Sequence, residues 1–463
     1  MHLPRYLAAV TVIGAAQASP HPAYRQQQVL DALVSPAPPS LAGQGKSSSI
    51  EDVVNNSPLL SLHRDLIEIE SISGNEHEIS NFVADFLRER NFTVVKQAVP
   101  PVKKNGEDVG EPKYLDEDDS SQTRYNIYAY PSGHSETPSI FLTSHIDTVP
   151  PYIPYSIRHP SAQSQSNNEE NIDFNEENLI IGGRGSVDAK ASVAAQIFAT
   201  LETLSTNPTA SLGLLFVVGE EIGGDGMKTF SRSTLNTKSK YHTIIFGEPT
   251  EAALVSGHKG MVGFELFAHG KAAHSGYPWL GQSAVSAIIP ALARVDKLGE
   301  IPAEKGGLPS SPKYGQTTLN IGVVRAGVAT NVVPDSAYAN VAVRLAAGTP
   351  DEARRIIVEA VKDATRDVEG EVVVDFSNHL EAYEPQDLDT DVPGFDVIPV
   401  NYGTDVPALE VRDGVKRYLY GPGTIFVAHG DNEALTVGDL KDAVRGYKKL
   451  IEAALEREAL GQI

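Results

Sequence analysis

Apolar positions recur at helical spacing over residues 59–69 and 77–90, and the rhythm shortens to that of a strand over 92–97. A polar, acidic stretch follows at 103–124, containing Asp116-Glu117-Asp118-Asp119, and reads as a solvated loop. An apolar strand is predicted over 139–143. A second hydrophilic stretch at 161–178 separates it from Gly182-Gly183-Arg184-Gly185. A helix of small and apolar residues spans 191–204, with strands over 211–218 and 243–246. Strand alternating with helix in this way predicts an α/β core on a parallel or mixed sheet.

The middle of the chain changes rhythm. A strand over 260–268, a helix over 282–298, strands over 317–324 and 336–345, a helix over 350–368 and a strand over 371–376 follow in order. That β-α-β-β-α-β series is the split arrangement of a ferredoxin-like sandwich. Residues 259–377 therefore read as a second domain inserted into the first. The parts of the first domain are then 56–258 and 378–463, and the chain ends on a charged helix.

The beginning of the chain changes the expected location. Residues 1–18 carry Arg5, an apolar run from Leu7 to Ala16 and the small-residue pattern Ala16-Gln17-Ala18, the layout of a cleaved secretory signal. The run is too short to span a bilayer, and no other stretch approaches that length. Pro20, Pro22, Pro36, Pro38 and Pro39 mark 19–55 as an exposed leader. An extracellular protein is the expectation. Two N-glycosylation acceptor triplets, Asn55-Asn56-Ser57 and Asn91-Phe92-Thr93, agree with it. Cysteine is absent, so stability must come from burial and metal rather than disulfides. The net charge of −22, from 60 acidic against 38 basic residues, argues against a nucleic-acid partner.

Acidic and histidine residues gather where the predicted strands end. His145-Ile146-Asp147 follows one strand. Residues i and i+2 of an extended segment face the same side, so the Asp147 carboxylate is expected on the second imidazole nitrogen, fixing its tautomer. Asp188 precedes a helix, Glu220 and Glu221 follow a strand, Glu248 follows Ile244-Ile245-Phe246-Gly247, and His429 ends a run starting at Gly421. Ligands of open α/β sheets bind beyond the carboxyl ends of the strands, so these positions converge on one crevice. Nitrogen and oxygen donors suit a divalent zinc. Each residue also has a plainer reading, as a solvated glutamate pair, a helix cap or a hydrogen-bonded histidine. Their shared placement favours metal. Adjacent glutamates in extended backbone point to opposite sides and fit poorly the facing carboxylates of a glycosidase. They suit a division in which one holds metal and the other addresses a water.

The segments SHIDTVP, GRGSVDAKAS, VVGEEIGG, GEPTE, GKAAHSG, ATNVVPD and GPGTIFVAHGDNEAL run in that order through nearly all of the mature chain. The series resembles the co-catalytic di-zinc peptidase and amidohydrolase family that includes glutamate carboxypeptidase, aminoacylase, acetylornithine deacetylase and succinyl-diaminopimelate desuccinylase. The resemblance implies a zinc-peptidase-like α/β catalytic domain with an inserted lid and dimerisation domain. It implies two zinc ions per subunit, one on His145 and Glu248, the other on Glu221 and His429, with Asp188 bridging both. Asp147 would orient His145, and Glu220 would be the general base. His274 matches the family histidine that reaches the active site of the neighbouring subunit of a homodimer. Asn331 and Arg344 match its substrate-contacting asparagine and arginine. The implied activity is a secreted zinc-dependent exopeptidase, a carboxypeptidase cutting short peptides beside a free carboxylate. An N-acyl-amino-acid amidohydrolase of the aminoacylase or deacetylase type stays open, because it needs the same metal residues. A catalytically silent binding homologue would lack ligands, and this chain has the full set.

Overall fold

The computed structural model describes residues 50–100, 123–160, 175–378 and 382–462. The signal-like segment 1–18, the leader up to residue 49 and most of the two polar stretches lie outside the described residues. Helices α1 (Ile50–Asn55), α2 (Pro58–Glu68) and α3 (His77–Arg88) come first. Ser57 starts α2 by accepting the Leu60 N–H, with Pro58 pre-set in the first turn. Strands β1 (Phe92–Val99), β2 (Arg124–Pro131), β3 (Ile140–His145), β4 (Ser156–Arg158) and β5 (Ile180–Gly182) lead to α4 (Lys190–Thr206). Then come β6 (Leu212–Val217), α5 (Asp225–Arg232), β7 (Thr243–Gly247) and β8 (Leu254–His258).

The inserted region holds β9 (Gly260–His269), α6 (Ala284–Lys297), β10 (Thr318–Ala326), β11 (Ser336–Leu345), α7 (Pro350–Ala364) and β12 (Glu371–Asp375). The chain closes through β13 (Gln386–Asp387), β14 (Val397–Val400), β15 (Lys416–Tyr420), β16 (Ala434–Thr436) and α8 (Val437–Ala459). A capping box fixes the start of α8, with Thr436 and Asp439 each accepting the other's backbone N–H. Among the described residues no helix is long and apolar enough to cross a membrane.

The main sheet has strand order β1-β2-β6-β3-β7-β15. Its β6, β3, β7 and β15 run parallel, while β1 and β2 join antiparallel, so the sheet is mixed. Strands β3, β6 and β7 are buried along their whole length, which is why they read as unbroken apolar runs. Helix α4 lies on them and packs against α8, and its Ala191, Ala194 and Ala195 leave no side-chain bulk in the way. Parallel strands end on one edge, and that edge carries the candidate ligands.

The second sheet, order β10-β11-β9-β12, is antiparallel throughout and has its own core. Alternate residues of β11 turn inward, among them Val341 and Val343, beneath α6 and α7. This is the expected split sandwich. Three features differ from expectation. Residues 50–55, expected as the end of an exposed leader, form helix α1, because Val53 and Val54 are apolar and pack into the main core. Arg124 is not loop but opens the buried strand β2, because Glu76 neutralises it: Arg124 Nε lies 3.1 Å from Glu76 Oε2, both side chains fully buried. Helix α7 ends at Ala364 rather than 368, before the left-handed Gly370.

Candidate metal centre

His145 closes β3, Glu220 and Glu221 lie in the turn after β6, and Glu248 follows β7 directly. Because those strands are parallel neighbours, the residues just past their ends share one crevice. Asp188 enters from the loop before α4. His429 enters from the loop between β15 and β16, where its backbone holds a left-handed φ of 63°.

His145 Nε2 lies 3.1 Å from Asp188 Oδ1 and 3.9 Å from Glu248 Oε2. His429 Nε2 lies 3.3 Å from the other Asp188 oxygen, Oδ2, and 3.0 Å from Glu221 Oε2. Asp188 therefore turns one oxygen toward each group. In each of the sets His145–Asp188–Glu248 and Asp188–Glu221–His429, one donor atom per residue falls within 4.8 Å of the others. Three nitrogen and oxygen donors per set is the count of a catalytic rather than a structural zinc site. The donor chemistry fits a pair of divalent cations.

The electrostatics point the same way. Burial raises Glu220 well above the usual carboxyl range, and the Glu248 charge adds to it. Burial also raises Glu248 against the opposing charge of His145, with Asp188 and Glu221 adding to the rise. Burial and then Asp188 raise Glu221. Asp188 runs opposite: burial pushes it up, yet its bonds to His145 and His429 hold it below its ordinary value. Bonds to Asp188 and Glu221 lift His429 to about 10. Burial pulls His145 down, but Asp147, Asp188 and Glu248 carry it well above 6.5. Crowded carboxylates in a desolvated crevice thus draw protons onto the imidazoles. A divalent cation in each set would supply that positive charge and let the imidazoles ligate as neutral rings.

Asp147 departs from the expected contact. His145 Nδ1 lies 2.9 Å from the Asp147 backbone carbonyl and 3.6 Å from its carboxylate, so the carbonyl is the nearer acceptor. The ladder ends at His145, and the chain then carries the Asp147 side chain beneath the turn after β6. There the fully buried carboxylate accepts the backbone N–H groups of Glu220 at 3.1 Å and Glu221 at 3.2 Å, and the Ser73 hydroxyl at 2.7 Å. Glu220 and Glu221 also differ from the extended pair expected. They occupy a turn, and both side chains border the same cleft. Glu221 belongs to a donor set and Glu220 to neither.

The cleft has a volume of about 660 Å³. Arg344 reaches it from β11 of the inserted region, its Nη1 3.5 Å from Met261 Sδ. His274 and Asn331 do not border it. They sit exposed and side by side, the Ser275 N–H donating to the Asn331 carbonyl at 2.9 Å. Tyr383, Tyr402 and Asp405 border the cleft and escaped the sequence reading. Tyr402 donates its hydroxyl to the Pro249 carbonyl at 2.9 Å, just past Glu248. For Tyr402 and Asp405 the signal was the polar run Tyr402-Gly403-Thr404-Asp405 behind a strand, but β14 is too short to announce itself.

Residues 256–369 match the family model described as a peptidase dimerisation domain. A probable carboxypeptidase of Aspergillus flavus is 60% identical over 445 residues, covering 95% of this chain and 96% of its own. A probable carboxypeptidase of Aspergillus niger is 61% identical over 415 residues, covering 89% and 93%. Among solved structures, a tripeptidase from Staphylococcus aureus matches with a TM-score of 0.61 at 20% identity, covering 86% of this chain and 97% of its own. An M20 family metallo-carboxypeptidase from Sulfolobus solfataricus matches with a TM-score of 0.59 at 15% identity, covering 86% and 99%. These two likenesses concern the fold; the near full-length identity to the Aspergillus proteins decides the family. The chain belongs to the M20 metallopeptidase family, hydrolases of peptide amide bonds.

Proposed function

We propose that this protein is a di-zinc carboxypeptidase, hydrolysing the peptide bond next to a free carboxylate. The observation that carries the reading is the pair of donor sets joined at Asp188, with the Arg344 guanidinium bordering the same cleft. The names of the Aspergillus relatives support the carboxypeptidase side over the amidohydrolase side.

His145, Asp188 and Glu248 would hold one ion, and Asp188, Glu221 and His429 the other. Zinc, when bound, lowers the pKa of water toward neutrality and polarises an amide carbonyl. Glu220 borders the cleft from outside both sets, and burial raises its carboxyl, the direction a general base needs. It takes the proton of the attacking water and delivers it to the leaving nitrogen. Asp147 fixes the turn that aims Glu220 and Glu221, and Arg344 pairs with the substrate carboxylate.

Arg344→Met is expected to lower kcat/KM on peptides with a free C-terminus by about 10- to 100-fold, the worth of a charged hydrogen bond. C-terminally amidated peptides, slow already, should be little changed. Equal losses on both would contradict the role. Parallel assays on dipeptides, longer peptides and N-acetyl amino acids check the reaction class; faster turnover of the N-acetyl series would replace this reading by the deacylase one.

His274 and Asn331, exposed away from their own cleft on a region matching a dimerisation domain, are read as offered to a second copy. Mixing His274→Ala with Glu220→Gln subunits checks this. Random pairing leaves roughly a quarter of the sites complete if His274 acts across the dimer. No recovery would contradict it.

A further inference from the structure

Arg184 and Glu433 form a buried ion pair beside the donor sets, with side chains only 1% exposed and Arg184 Nη1 2.8 Å from Glu433 Oε2. The other carboxylate oxygen, Oε1, accepts the backbone N–H groups of Val187 at 2.9 Å and Asp188 at 3.0 Å. Glu433 therefore grips the chain at the residue whose carboxylate both sets share. Arg184 Nη1 also donates to the Gly430 carbonyl at 3.3 Å, and Nη2 approaches the His429 carbonyl at 3.5 Å. One pair thus ties the loop of Asp188 to the loop of His429. Stability alone is a weak reason to keep it, because an apolar replacement of a buried pair is often neutral or stabilising.

The two donor sets do not depend on the pair equally. His145 is paired with Val217 at the end of β3, and Glu248 directly follows Gly247, which is paired with Tyr420, so sheet ladders hold both. Asp147 holds the turn of Glu221. His429 sits in a loop with a half-exposed side chain, and Arg184 reaches the carbonyls of that loop.

We propose that Arg184 and Glu433 are positioning residues that set the spacing of the two donor sets, and that the Glu221–His429 side relies on them far more than the His145–Glu248 side. The proposal rests on the two-metal reading above. The test is calorimetric zinc titration of the metal-free full-length protein, with thermal melting alongside. The double variant Arg184→Met/Glu433→Gln removes both charges and leaves no lone buried one. It is expected to melt near wild type without metal and to bind one zinc at wild-type affinity. The other zinc should bind about 10- to 100-fold more weakly, the usual cost of losing an outer partner. On hydrolysis, kcat should fall with KM within about twofold, a loss of transition-state rather than ground-state contacts. Arg184→Lys, which keeps the charge and loses the fork, should weaken the same zinc with melting retained. Two wild-type affinities in both variants would overturn the proposal, as would equal weakening of both ions. A wild-type protein binding fewer than two ions would instead strike the two-metal reading.

Discussion

Glu220→Gln should bind both ions as the wild type does and lose about a thousandfold in kcat, within the 10²–10⁴ range of general acid–base catalysis. Glu220 stands outside both donor sets, so removing its charge takes nothing from the metal. It lies in the turn that the Asp147 carboxylate holds by the N–H groups of residues 220 and 221, and the amide side chain leaves that turn intact. What disappears is the group that accepts and returns the proton. Burial and the Glu248 charge raise the carboxyl, the direction that makes it a readier proton acceptor. Metal analysis and steady-state kinetics on one preparation check this. Wild-type turnover in the variant would assign the base elsewhere.

Asp188→Ala should be worse, losing both ions and all measurable hydrolysis. Its two oxygens face different histidines, at 3.1 Å and 3.3 Å, so one deletion removes a donor from each set. Each set then keeps two donors, one fewer than a catalytic zinc site uses. His429→Ala is the contrast, since it removes a donor from one set only and should leave one ion bound. Melting provides a second readout. Zinc at 100 times its Kd should stabilise the wild type by about 2.7 kcal/mol for each bound ion through mass action, and should leave the Asp188→Ala melting curve unmoved. A variant that still binds two ions would contradict the bridging role.

Much of this site is legible in the sequence because every ligand but Asp188 follows an apolar run. Burial of β3, β6 and β7 on both faces writes those runs without interruption, and His145, Glu220, Glu221 and Glu248 stand just past their ends. The inserted sandwich is legible for a related reason, since β11 alternates and its helices keep their period. The remainder depends on partners far along the chain. Strand β2 begins with an arginine that Glu76 and Asp225, distant in the chain, make acceptable in the interior. Strands β8, β13 and β14 are short and gain their register from one another rather than from pattern. Asp147 serves the turn after β6 because the chain leaves the ladder at His145, a bend that i, i+2 reasoning does not contain. Arg184 and Glu433 lie 249 residues apart, and their bond is written in the fold alone.

Zinc titration of the metal-free enzyme, following hydrolysis of a peptide with a free C-terminus, tests the central claim most directly. The account predicts no hydrolysis without metal, and a rise that levels off at two equivalents per chain. Full hydrolysis by the metal-free protein, or a plateau below one equivalent, would contradict it.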